Sequence, residues 1–393
     1  MDGTAPISDL SDERISSKVG RLAAIRSDRR AAVARLVESV GQCVPTMRGR
    51  ARALDRAAAF PADDVAALRG HGALLAPLPL RHGGLGLGTE PDGAIGLFDL
   101  LRLIGSGNLS VGRIFEGHVN ALQLICLYGD EAQIARAAED AASGHLFAIW
   151  NTEAPPGVRL GDDGRLSGRK SHGSAAGSAT RAVITVDHSL RSRLLLVSLT
   201  AGERTGASQE VLHGMRATQS GWIDFDAYTP GFADFIGDSG DYLREPAFSA
   251  GAWRALAVIL GGMEALVGEL RGQLHARGRH ANPHQAMRVA QALIARETAF
   301  LWTRKAALLV ESGDARLEDI IGYVGLARRA VEMAAMEVIQ LAQRSLGLAA
   351  LVDTNAAELL MRDLATYLRQ PAMDEAIEEA AAHFVTAALP GEP

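Results

Sequence analysis

The spacing of apolar residues changes twice along the chain. From residue 15 to residue 40 they recur three and four apart: Val19, Leu22, Ala23 and Ile25, then Val33, Leu36, Val37 and Val40. That spacing lines one face of an α-helix. Residues 1–11 are polar and are expected to be loose. A second helix, rich in alanine and arginine, is expected over 50–59, and a third runs from Phe60-Pro61 through Leu68. Proline and the acids Asp63 and Asp64 suit its start, where N–H groups are unpaired and the dipole is positive. Apolar helices follow over 95–104 and 110–128, and another opens at Gly129-Asp130-Glu131 and ends near Gly144.

At His145 the period shortens. Segments 146–152, 165–170, 181–186, 193–199 and 221–225 are short and separated by Gly, Asp and Ser turns, which reads as strands. No helical pattern intervenes, so an antiparallel barrel or sandwich is expected. From Ala250 long helical runs return over 253–274, 286–312, 317–346, 355–368 and 373–388, joined by short links. That is the pattern of a bundle. The fold class expected is therefore α+β, with a helical region over 1–144, a β region over 145–245 and a C-terminal four-helix bundle over 246–393.

Composition narrows the function classes. A net charge of −6 on 393 residues gives no electrostatic footprint for nucleic acid. Lys18, Lys170 and Lys305 are the only lysines, so nearly all positive charge is arginine, whose planar fork matches phosphates and carboxylates. Cys43 and Cys126 alone cannot build a disulfide framework or a Cys-rich zinc site. No apolar run of about 18 residues is present, so no membrane span is expected. Together with the polar first residues, this leads to a cytoplasmic expectation.

Several strings carry candidate chemistry. In 343–371 a helix breaks at Gly347 and resumes before Leu360-Met361-Arg362-Asp363. A helix, a glycine turn and a second helix gather free N–H groups, so an anion is expected there. His118 sits on an apolar helix face, where a core role outweighs a site role. In the β region three strings stand out: Ala148-Ile149-Trp150-Asn151-Thr152-Glu153, Leu166 to Ala175 with Lys170-Ser171-His172-Gly173-Ser174, and Gly214-Met215-Arg216-Ala217-Thr218-Gln219-Ser220-Gly221.

Taken in order, these strings resemble the acyl-CoA dehydrogenase family from about Phe60 to Asp374. The resemblance implies an FAD oxidoreductase with a helical N-terminal domain, a small β domain and a C-terminal four-helix bundle. It implies that Trp150, Asn151 and Thr152 lie at the flavin edge and that His172, Gly173 and Ser174 lie beside the ring. Arg277, in the link between the first two bundle helices, would reach the FAD pyrophosphate of a neighbouring subunit, and Arg279 is its substitute. Gln343 and Gly347 match the C-terminal signature. A homodimer or homotetramer and a small-molecule substrate, acyl or thioester, follow from the same likeness.

The sequence departs from the family at the points that matter for chemistry. One place for the catalytic glutamate reads Leu368-Arg369-Gln370-Pro371, and the other reads Gly251-Ala252-Trp253-Arg254. A phosphate-holding Gly-Ser-Asp loop is replaced by Ala154-Pro155-Pro156-Gly157, where two prolines remove two donors. Three functions stay open. The first is a dehydrogenase-like FAD enzyme. The second is a flavin-dependent monooxygenase using FMN or reduced flavin supplied by a partner flavin reductase. The third is a non-catalytic binding homologue. No catalytic residue is assigned.

Overall fold

The computed structural model describes residues 9–188, 191–207 and 212–391. Five helices come first: α1 (Asp9–Ala57), α2 (Ala62–Gly70), α3 (Ala94–Gly107), α4 (Leu109–Tyr128) and α5 (Glu131–Ala142). The two helices expected at the N-terminal end are one. α1 is 49 residues long and runs through Pro45. It begins at Asp9, so most of the expected loose segment is outside the described residues and the remainder is helical. α4 starts on Asn108, whose Oδ1 accepts from Ser110 N at 2.9 Å. α5 starts on a capping box between Asp130 and Gln133, which satisfies two of the N–H groups a helix start leaves free.

The strands are β1 (Phe147–Trp150), β2 (Glu153–Leu160), β3 (Leu166–Gly173), β4 (Arg181–His188), β5 (Arg191–Ser198), β6 (Thr205–Ala207), β7 (Gly221–Asp224) and β8 (Phe235–Ile236). They form one eight-stranded sheet in the order β6-β7-β3-β2-β4-β5-β8, with β1 added beside β4. Most pairs are antiparallel, as expected, but β1 and β2 both run parallel to β4. β2, which contains Pro155 and Pro156, is not among the expected strands. Its pairing with β3 skips register between Ala154 and Arg159. The prolines therefore fall in a bulge, where no ladder donor is required.

The sheet has two buried faces. Ala148, Trp150, Ile184, Val186, Leu195 and Val197 join the large core shared with the helices. Their alternates Phe147, Val183, Leu194, Leu196 and Ile236 pack with Leu122, Ile125 and Ile134 of α4 and α5. This is the two-residue period of a strand buried on both sides.

After the short α6 (Ala247–Ala250) come α7 (Trp253–Ala276), α8 (Pro283–Ser312), α9 (Leu317–Leu346), α10 (Ala356–Tyr367) and α11 (Met373–Phe384). α7 is apolar nearly all round and mostly buried, so it is the core helix of this region. It meets α3 at backbone contact. A Cβ on Gly261 would lie 2.0 Å from Arg102 O, and one on Gly105 would lie 2.3 Å from Val258 O. Only glycine permits that approach. It joins the N-terminal helices to the bundle.

Candidate functional site

The three strings of the β region are bonded to one another. Trp150, 1% exposed, donates its Nε1–H to Ser174 O at 2.9 Å. Ser171 N donates to Thr152 O at 2.9 Å, and Ala175 N to Thr218 O at 2.8 Å. Gly173 is paired with Gly221 across β3 and β7 and lies buried against Trp150 and Ile223. Lys170 is fully buried, pairs with Glu153 and donates to Thr185 Oγ1 at 3.0 Å. Burial pulls its ammonium below the ordinary lysine range, against the Glu153 carboxylate. Its role is to tie β3 to β2 and β4.

The Arg362-Asp363 element of α10 holds the third string in place. Asp363 Oδ1 accepts the Met215 N–H at 2.6 Å. Arg362 donates Nε to Glu358 Oε1 at 2.7 Å, Nη2 to Asp55 Oδ2 at 2.7 Å and Nη1 to His213 O at 2.7 Å. A Cβ on Gly214 would sit 2.4 Å from Arg362 O, so the string lies directly on the helix backbone. Arg362 is fully engaged by protein groups. The start of α10 is met by its own cap, Asn355 Oδ1 accepting from Ala357 N at 3.0 Å. Gly347 N–H is already bonded to Gln343 O.

Between these pieces lies a cleft of about 270 Å³. Its walls are the His172 turn with Ala176 and Gly177, strand β6, and the segment from Met215 to Gly221; Ala58, just beyond α1, closes one side. Four non-glycine lining residues have left-handed backbones: Ala58 (φ 46°), His172 (φ 53°), Met215 (φ 58°) and Gln219 (φ 46°). Each such residue costs on the order of 1–3 kcal/mol and persists only where its surroundings impose it. Here the imposition is visible: Asp363 and Arg362 pin Met215, and Thr218 Oγ1 bonds Met215 O at 2.7 Å.

Arg216 lines this cleft, and its position is the feature that sequence reasoning missed. Its Nε is shielded from solvent and lacks a hydrogen-bond partner among the described residues. In the sequence, residues 211–223 contain Arg216 and no carboxylate, the flanking acids being Glu210 and Asp224.

The predicted cofactor residues fall into separate groups. His172 lines the cleft, with Gly173 and Ser174 in the adjoining turn. Trp150 and Asn151 face the protein interior, Asn151 Oδ1 accepting from Thr185 N at 2.8 Å. Thr152 is exposed. Arg277 and Gly347 are exposed at one end of the bundle, and Gln343 lies in a groove between α8 and α9. None of these last three lines the cleft.

His118 is a core residue. Its Nε2 lies 2.8 Å from Leu74 O and its Nδ1 accepts from Phe147 N at 3.1 Å. Those partners fix a neutral ring with the proton on Nε2, and burial lowers its pKa to about 4. A histidine depressed in the folded state stabilises above its unfolded pKa of about 6.5 and loses that contribution as pH falls towards 4. The expected loss between pH 7 and pH 4 is about 3 kcal/mol. Urea unfolding of His118→Asn, which keeps an acceptor near Nδ1, is expected to show a correspondingly flatter acid limb.

Comparison with known proteins establishes the fold. No protein-family model matches the chain, and no curated protein matches it. Solved structures do. KijD3, in complex with FMN and a dTDP-linked amino-keto sugar, superposes with a TM-score of 0.77 at 21% identity, over 92% of this chain and 95% of that one. Butyryl-CoA dehydrogenase from Megasphaera elsdenii gives 0.76 at 16%, over 91% and 98%. The HsaA monooxygenase from M. tuberculosis gives 0.73 at 18%, over 91% and 100%. The chain therefore has the acyl-CoA dehydrogenase fold along nearly its whole length.

Proposed function

We propose that the cleft beside His172 and Arg216 holds a flavin and that the chain is a flavin-dependent oxygenase acting on a small molecule. The residues fit such a group. Ala176, Leu212 and Met215 offer apolar wall, Gly177, Gly206 and Gly221 offer bare backbone, and Arg216 offers a cation. A flat ring that gains negative charge on reduction matches that set. The neighbours on this fold include proteins described with FMN and as a monooxygenase.

One observation favours an oxygenase over a dehydrogenase. The two places where the resemblance puts a glutamate are filled by groups that cannot take a proton from carbon. At one, Pro371 O accepts from Arg328. At the other, Arg254 is 1% exposed and bonded to Glu311 Oε1 at 3.2 Å and Asn120 Oδ1 at 3.1 Å. An α-proton must be removed by a positioned base during acyl-thioester oxidation. Reduced flavin and O2 supply an oxygen atom without one, the second oxygen leaving as water, and a partner reductase supplies the electrons.

Arg277, Gln343 and Gly347 then serve a second copy of the chain. All three are exposed, and Gln343 lines a groove that carries exposed Ile294, Met333 and Met336. A homodimer would bring them to its partner's flavin phosphate.

Anaerobic mixing with reduced FMN tests the reaction class. The protein is expected to bind reduced FMN more tightly than oxidised FMN, and butyryl-CoA is expected to leave bound oxidised flavin unbleached. Bleaching by butyryl-CoA would restore the dehydrogenase reading.

A further inference from the structure

We propose that the cleft takes a phosphate ester and that Arg216 holds it. Other arginines near this part of the molecule face a carboxylate: Arg362 faces Asp55, Arg169 faces Asp224, and Arg181 faces Asp140. Among the described residues Arg216 forms no ion pair, and its shielded Nε–H has no acceptor. Leaving a buried donor unpaired is unfavourable, so a missing acceptor is the economical reading of this position.

The backbone that presents Arg216 is held rigid. It lies between two left-handed residues, Met215 and Gln219, with Asp363 bonded to Met215 N and Ala175 N bonded to Thr218 O. An arginine carried on such a backbone can offer two parallel bonds to one oxyanion. The Thr205 hydroxyl and the Gln219 amide line the same cleft. Together with the arginine they offer more donors than a two-oxygen carboxylate needs, and they suit a phosphate. No carboxylate is among the described lining residues to repel it.

The phosphate has two sources with the same chemistry. It is the flavin's own, which rests on the flavin reading above, or it belongs to a phosphorylated substrate. Titration calorimetry of the full chain with riboflavin, FMN and uridine diphosphate separates them, using wild type, Arg216→Gln and Arg216→Lys. If the phosphate is the flavin's, wild type binds FMN roughly 10- to 100-fold more tightly than riboflavin, the size of one charged hydrogen-bonded contact. Arg216→Gln then abolishes the difference and Arg216→Lys restores part of it.

If the phosphate is the substrate's, FMN and riboflavin bind alike or not at all. Uridine diphosphate then binds wild type and is weakened by the same factor in Arg216→Gln. In that case an absence of flavin binding sinks the flavin reading and leaves the phosphate site standing. Unchanged affinity for every phosphate ligand in Arg216→Gln, or no phosphate binding by wild type, overturns the proposal. Circular dichroism checks the fold of the variant. Should it not fold, competition by inorganic pyrophosphate on wild type decides: displacement of the bound ligand supports the site, and its failure overturns it.

Discussion

Replacing Arg362 by leucine is expected to destabilise the chain by about 3–5 kcal/mol, the usual result of breaking a buried ion pair from one side. Asp55 has a side chain only 5% exposed and accepts both Nη atoms of Arg362. Glu358, one turn back on α10, takes Nε. Hydrogen bonding to Asp55, then to Glu358, raises the guanidinium pKa well above its ordinary value, against the opposing effect of burial. Removing the cation leaves two crowded carboxylates beside Asp363 and frees His213 O. The contact also spans the molecule, joining the end of α1, the 213–215 string and α10. Arg362→Lys keeps the charge but not the fork, and is expected to recover only part of the loss. The midpoint of urea unfolding for the three proteins is the readout. A leucine variant within 1 kcal/mol of wild type, on the order of a surface substitution, would show that the cluster is not a stabilising joint.

The second large effect concerns Asp363 and has a definite sign. Burial, aided by the Asp55 and Glu358 charges, raises its carboxyl pKa to about 7, although the Met215 N–H and Arg362 oppose the shift. A carboxyl raised in the folded state is stabilising below its unfolded pKa of about 4 and loses that contribution as pH rises through 7. The expected decline between pH 4 and pH 7 is about 3 kcal/mol. Asp363→Asn mimics the protonated acid and keeps an oxygen for Met215 N. It is expected to match wild type near pH 4 and to exceed it at pH 8. Asp363→Ala removes the acceptor and is expected to be less stable than Asn throughout. Because Met215 leads into the Arg216 turn, the alanine variant is also expected to weaken ligand binding at the cleft. Equal pH profiles for wild type and Asn would place the ionised carboxylate in the folded protein.

Much of the fold was legible because its signals are local. The helical period marked α3, α4 and the bundle helices, and short alternating segments marked β1, β3, β4, β5 and β7. Two kinds of feature were not legible. The break expected between residues 40 and 50 is absent, because α1 is continuous through it. No strand was expected over 153–160, where a bulge beside β3 accommodates Pro155 and Pro156. The site was legible as three strings but not as one cleft. Nothing local says that Trp150 turns inward to Ser174, or that the Arg362-Asp363 element holds Met215. Those facts depend on contacts between separate segments, 24 positions apart for Trp150 and Ser174 and 148 for Met215 and Asp363. Arg216 became conspicuous only when its Nε was seen to be shielded and without a hydrogen-bond partner among the described residues.

The central claim is that the three strings build a flavin cleft, and the visible absorption spectrum tests it most directly. Wild type and Ala207→Trp are each mixed with FMN and with FAD, passed through gel filtration and scanned, with parallel anaerobic samples using the reduced flavins. Ala207 is exposed on the edge strand β6 and lines the cleft, so a tryptophan there fills the space without disturbing the core. The account predicts that flavin in at least one redox state travels with wild type and not with Ala207→Trp. Flavin that binds both proteins equally, or neither, would contradict it.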